Sequence, residues 1–143
     1  MQKNKRINGG IDLEKSFKNL DILNIMSSLN ELMLCKLPVK TAWILSKNRK
    51  KIDSWFKSYV ECENTFVQEF ALKDEHGNIR YEENNQPKFA PNNKIEFNKK
   101  QAELLNCEEI LNLQEICISD LEGIELKPSV LFNLEFMIND DTE

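Results

Sequence analysis

The chain has few of the residues that usually organise catalysis. It has four glycines and no glycine-rich run, so the backbone cradles that hold phosphate groups are absent. Its one histidine, His76, lies in the turn-like run Asp74-Glu75-His76-Gly77-Asn78. Nothing local orients it as a base or as a partner for a nucleophile. No Gly-x-Ser-x-Gly elbow and no His-Glu-x-x-His pattern occurs. The four cysteines, Cys35, Cys62, Cys107 and Cys117, form no close pair, whereas zinc sites need short Cys/His spacings. Buried free thiols are therefore expected, with no metal and no cofactor. No apolar run approaches the roughly 20 residues of a membrane span. The polar, basic stretch Met1 to Gly10 lacks the apolar core of a signal peptide. These absences point to a non-enzymatic protein of the cytoplasm. Adjacent acids such as Glu82-Glu83, Glu108-Glu109 and Asp140-Asp141 read as solvated surface, because neighbours in sequence point different ways on a helix or strand.

What is present is mostly helix. No Gly or Pro interrupts the chain between Pro38 and Gly77, and proline is tolerated at a helix start but not inside one. The spacing predicts one helix from Val39 to Phe70, about 45–50 Å long at 1.5 Å per residue. At 100° per residue Leu45, Ile52, Phe56, Tyr59, Phe66 and Phe70 share one stripe, with Trp55 close to it. The opposite side carries Val39, Lys40, Trp43, Lys47, Lys50 and Lys57. An earlier helix, capped by Asn19 or Asp21 and running to about Cys35, places Ile22, Ile25, Met26, Leu29, Leu32 and Met33 at helical spacing. The short link Lys36-Leu37-Pro38 predicts that the two helices form an antiparallel hairpin.

The rest of the chain changes character. Ile11, Leu13 and Phe17 fit a short strand or arm, and Ile79 to Glu82 a returning strand. Asn92 or Asn93 caps a third helix to Asn106, packed through Ile95, Leu104 and Leu105 and less through Phe97. From Ile110 the alternation of Leu111, Leu113, Ile116 and Ile118 is strand-like. Ser119 and Glu122 have capping-box spacing, and Ile124 to Leu126 fits a short strand. Pro128 opens a last helix to about Ile138, facing Val130, Leu131, Leu134 and Met137 or Ile138 inward. The expected fold class is α+β: a helical hairpin with one long helix, then a small sheet and short helices. One domain spans 1–143, with a flexible N-terminus at 1–10 jointed at Gly9-Gly10, a surface loop at 82–93 and a frayed tail at 139–143.

Charge is uneven along the chain. Residues 1–60 hold 12 Lys/Arg against 5 Asp/Glu, and residues 61–143 hold 7 against 19. The basic helix either meets an anion, is simply solvated, or is attracted by the acidic half within or between subunits. Trp43 is the one aromatic set among lysines: Lys40, Lys47 and Lys50 stand three, four and seven residues away. Aromatic rings stack on bases while lysines meet phosphates, so these four residues are the candidate ligand-binding group. The competing reading buries Trp43 against the first helix or a second subunit, with lysine stems around it.

Several short runs resemble a family of small proteins encoded by temperate phages and prophages of Gram-positive bacteria. They are Leu29-Asn30-Glu31-Leu32, Lys36-Leu37-Pro38-Val39-Lys40, Leu45-Ser46-Lys47-Asn48 with Ile52, Lys73 to Ile79, and Ile118-Ser119-Asp120-Leu121-Glu122 with Leu126-Lys127-Pro128. The resemblance implies a phage origin and action in the host cytoplasm, and it brings no catalytic residues. It leaves three roles open. One is a counter-defence protein that sequesters a host immune nucleotide, such as a cyclic nucleotide, at Lys40, Trp43, Lys47 and Lys50. A second is an assembly or minor structural protein with a phage partner. The third is an acidic inhibitor of a host nucleic-acid-binding defence protein. A homo-oligomer, most simply a two-fold dimer, is expected with no membrane partner.

Overall fold

The computed structural model describes residues 3–7 and 10–140, with side chains from residue 14 onward. The fold is α+β: two N-terminal strands lead into the first two helices, and a third helix, the third strand of a small antiparallel sheet, a short parallel pair and short helices follow. Contacts divide the chain into two compact units, residues 1–54 with 108–143, and residues 55–107. The boundary falls inside the long helix.

In the first unit, β1 (Lys3–Ile7) pairs antiparallel with β2 (Gly10–Lys18). Part of the expected flexible N-terminus is thus a strand. Its sequence, Lys-Asn-Lys-Arg-Ile, has no apolar alternation to announce it. Met1, Gln2, Asn8, Gly9 and the tail residues 141–143 lie outside the described residues. β2 also pairs with β3 (Glu108–Gln114), Leu13 opposite Leu113 and Lys15 opposite Leu111. The order is β1-β2-β3. β4 (Ile116–Cys117) and β5 (Ile138–Asn139) make a short parallel pair. The chain between them forms a 3-10 turn at Ile118–Leu121 and then α4 (Pro128–Leu134).

α1 (Asn19–Met33) follows β2 directly. The cap position is Lys18, not Asn19 or Asp21, and no side chain caps it. Asn19 is instead the first helical residue and is buried. Ile22, Ile25, Leu29 and Leu32 are buried as their spacing predicts, whereas Met26 and Met33 are half-buried at the edge of that face. α4 lies against α1, and Asn133 donates to the Ser28 hydroxyl at 2.9 Å. Val130, Leu134 and Met137 are buried, but Leu131 is 41% exposed. The last helix ends at Leu134 rather than Ile138, and a 3-10 turn at Glu135–Met137 leads into β5. The turn at Ile118–Leu121 starts one residue before Ser119, with Cys117 at its cap. Ile118 is exposed, so the strand-like alternation stops at Ile116. Ile124 to Leu126 form no strand. Gly123, at φ +78°, turns the chain there and no neighbouring strand takes up its backbone groups.

The long helix α2 runs Val39–Phe70, as its pattern predicts. Pro38 precedes it and its carbonyl accepts the first helical bond from Ala42 N–H at 2.9 Å. The second unit begins at Trp55 and continues through α3 (Pro91–Asn106). Trp55 and Tyr59 stack at 5.3 Å and are buried. Phe56, Phe66 and Phe70, placed on the core stripe by sequence, are only half-buried. Between the helices, residues 71–90 form two successive tight turns instead of a strand. Isolated bridges join Lys73 to Ile79 and Tyr81 to Pro87. Asp74 Oδ1 accepts from the His76 and Asn78 amides at 2.8 and 3.0 Å, and Asn84 Oδ1 from the Gln86 amide at 3.0 Å. These side-chain turns are the role Asn and Asp favour. α3 starts three residues earlier than predicted, with Pro91 in its first turn and Ala90 at the cap, so residues 91–93 of the expected loop are helical. Its packing residues are Phe97 and Leu104; Ile95 is 54% exposed. Phe97, Gln101 and Leu104 recur at four and three, and Ile95 sits two residues off that stripe.

Among the described residues no disulfide joins any of the four cysteines. None is fully buried, and Cys107 is exposed. The expectation of buried thiols is thereby corrected: Cys35, Cys62 and Cys117 are half-buried.

Candidate functional site

The exposed half of α2 is set by what its other half holds. Thr41, Ile44, Leu45, Asn48 and Ile52 are buried along one side. Three polar anchors then fix the helix about its own axis. The Thr41 hydroxyl donates to Asp120 Oδ2 at 2.9 Å. The Asn48 amide donates to the Gln114 carbonyl at 2.9 Å, while its Oδ1 accepts from the Gln114 N–H at 2.9 Å. The Lys51 ammonium donates to the Asn112 carbonyl. Asn48 therefore acts as a surrogate strand residue on β3, meeting both backbone groups of Gln114 in a site with no access to water. The sequence argument missed it. Its signal was a polar residue in line with Leu45 and Ile52 on the inward stripe.

Because that side is fixed inward, Trp43 points outward and is 60% exposed. The reading that packs Trp43 into this chain's own core is therefore excluded. The Lys47 ammonium lies 5.8 Å from the Trp43 ring centroid, within cation–π range. Lys40 and Lys50 are exposed on the same helix. Among the described residues, none of these three lysines forms an ion pair. Of the four candidates, the structure brings Trp43 and Lys47 together, and it records no contact between the ring and Lys40 or Lys50. The result is an open platform: one exposed indole attended by one cation, with Lys40 and Lys50 exposed on the same helix. It can stack a planar ring and pair with anionic groups.

A second feature lies in the second unit. A groove of about 640 Å³ is bounded by α2, the double turn and α3. Phe89 and Phe97 form one wall with ring centroids 4.7 Å apart, and the Lys94 ammonium lies 4.8 and 5.4 Å from their centroids. Gln101 donates to Glu63 at 3.0 Å across it. Phe89 and Lys94 occupy the two positions that a hydrophobic staple takes at the start of α3, joined here by a cation–π contact. The aromatic–cation cluster therefore has a structural explanation of its own. Burial, with help from Glu63, raises the Tyr59 hydroxyl above its usual range, and burial raises the Glu115 carboxyl in the first unit.

His76 is exposed in its turn, with its ring 3.5 Å from Glu75 and its amide bonded to Asp74. Among the described residues no cluster of His, Cys, Asp or Glu could hold a metal ion, and no helix is long and apolar enough to cross a membrane. Compared with family models, with curated proteins and with solved structures, the chain matches none.

Proposed function

We propose that this protein is a non-enzymatic binding protein that sequesters an anionic nucleotide on the Trp43 face of α2. The observation that carries the reading is the outward Trp43 ring, 60% exposed with the Lys47 ammonium 5.8 Å from its centroid. A base stacks on the indole and its phosphates meet Lys40, Lys47 and Lys50. Stacking of this kind is worth about 1–3 kcal/mol per base. Taken with the resemblance to small phage proteins, the ligand is a host immune nucleotide and the role is counter-defence in the host cytoplasm. Calorimetry against cyclic dinucleotides, cyclic trinucleotides and cyclic ADP-ribose isomers tests it. Wild type binds one class at micromolar or tighter dissociation constants, weakening with salt, and Trp43→Ala loses at least about tenfold in affinity. A chain that binds none of the panel, or a folded Trp43→Ala variant that binds as tightly, overturns the assignment.

A second reading has its own observation. Leu34 and Val39 are 88% and 87% exposed beside this face. Exposed apolar residues with a tryptophan mark protein contacts as well. An assembly role predicts that the same panel gives no heat and that a phage protein co-purifies through Trp43.

A further inference from the structure

The first unit carries an apolar groove and an apolar knob side by side, and the knob borders the proposed ligand face, sharing Lys40 with it. The groove, about 650 Å³, has Ile118, Leu121, Ile124, Leu126 and Leu131 in its wall. Ile118 is 50% and Leu131 41% exposed. Glu122 and Glu125 also line it, so its rim is acidic. The knob is the connection between α1 and α2, where Leu34 is 88% and Val39 87% exposed. Lys36 and Lys40, both exposed, flank those two residues, so its rim is basic.

We propose that the groove receives the Leu34–Val39 knob of a second copy of this chain, and that each copy does so reciprocally in a two-fold dimer. Three observations support this occupant. The rims are complementary, glutamates on one and lysines on the other, and opposite charges across an interface fix partner and register. Both surfaces are apolar and unfilled, and a monomer gains by covering them. They are also neighbours within one unit. Asp120 in the turn that opens the groove segment accepts from Thr41 at 2.9 Å, and Lys127 at its end pairs with Glu31 at 3.2 Å. Thr41 and Glu31 bracket the knob in sequence. A knob and groove set next to each other on one surface can meet their counterparts across a two-fold axis, which gives a closed contact where each copy supplies both halves. An apolar small molecule would fill the groove but leave the knob and its lysines unused.

The test is sedimentation velocity of the full chain at micromolar concentration, with circular dichroism to confirm folding. Wild type sediments as a dimer, and the dimer weakens with salt. Leu34→Asp on the knob and Leu131→Asp on the groove each raise the dissociation constant by at least about tenfold, as loss of a central apolar contact does. Both residues are exposed, so neither change empties the core. The double reversal Glu122→Lys with Glu125→Lys weakens the dimer in the same direction. A wild-type monomer overturns the proposal. So does a dimer that both aspartate variants leave intact, or a series of species larger than a dimer, which would mean an open contact.

Discussion

The two units use different means to stay folded. Among the described residues, fifteen of the twenty buried hydrophobic side chains belong to the first unit, and only Trp55, Tyr59, Ala71, Phe97 and Leu104 to the second. The first unit closes over long sequence distances: Asn48 to Gln114, Thr41 to Asp120, Ser28 to Asn133. The second unit has fewer buried apolar side chains and leans on the double turn, whose side-chain bonds link residues two to four apart, on the Phe89–Phe97 pair, and on a few longer links such as Leu72 to Lys88 and Gln101 to Glu63. A non-local, well-filled core orients a surface side chain firmly; a thin one opens more easily. The comparison explains why the outward Trp43, carried by the first unit, is the better candidate for a fixed platform. Of the readings of the uneven charge, it favours attraction within the chain. The basic segment and the acidic residues 108–143 fold into the same unit, which holds 12 Lys/Arg and 15 Asp/Glu, while the second unit holds 7 and 9. The attraction anticipated between halves is thus available inside one unit.

The comparison can be broken by substitutions matched across the units. Leu45→Ala in the first unit should cost about 4 kcal/mol of unfolding free energy, since Leu45 has no exposed surface and its loss leaves a cavity in the core. Leu104→Ala in the second should cost about 2 kcal/mol. Equal losses in chemical denaturation would remove the contrast. Asn48→Ala should cost about 3 kcal/mol, because it leaves both Gln114 backbone groups buried and unbonded. A loss below about 1 kcal/mol would mean that water reaches the site. Gly77→Ala should cost about 1 kcal/mol. Its φ of +81° suits glycine and nothing within 4 Å would meet the new methyl group, so the cost is backbone alone.

The smallest effect concerns pH. Burial raises the Glu115 carboxyl, so the folded state holds that proton to higher pH than the unfolded chain does. Stability therefore falls as pH rises from the ordinary glutamate range through the raised folded value. Glu115→Gln should raise the melting temperature slightly at pH 7 and leave it unchanged below the ordinary glutamate range. A variant less stable at pH 7 would mean that the carboxylate is favourably paired.

Much of this was legible in the sequence, and the rest was hidden for physical reasons. α2 was readable because Pro38 and a long run free of Gly and Pro bound it, and because its apolar stripe keeps a steady 100° step. The stripe put Trp43 on the opposite face but left open whether another element covers it; only the structure shows it exposed. β1 was not readable, since a strand made of Lys, Asn and Arg is defined by the neighbour it pairs with. The caps of α1 and α3 were misplaced because Lys18 and Ala90 hold the cap positions without a side-chain bond, leaving no signature residue. At the candidate site the offset of four brought Lys47 to the indole. Lys40 and Lys50 sit at three and seven, and sequence spacing fixes where their stems start but not where long exposed chains come to rest. Phe97 was undervalued because its partner, Phe89, lies before the helix, and periodicity within the helix does not see it.

The most direct test of the Trp43 assignment is native mass spectrometry of the protein isolated from cells in which nucleotide immune signalling is active. The account predicts an added mass in the nucleotide range on wild type, released at high salt, and bare protein for Trp43→Ala purified in the same way. Bare wild-type protein, or the same added mass retained by a folded Trp43→Ala variant, would contradict it.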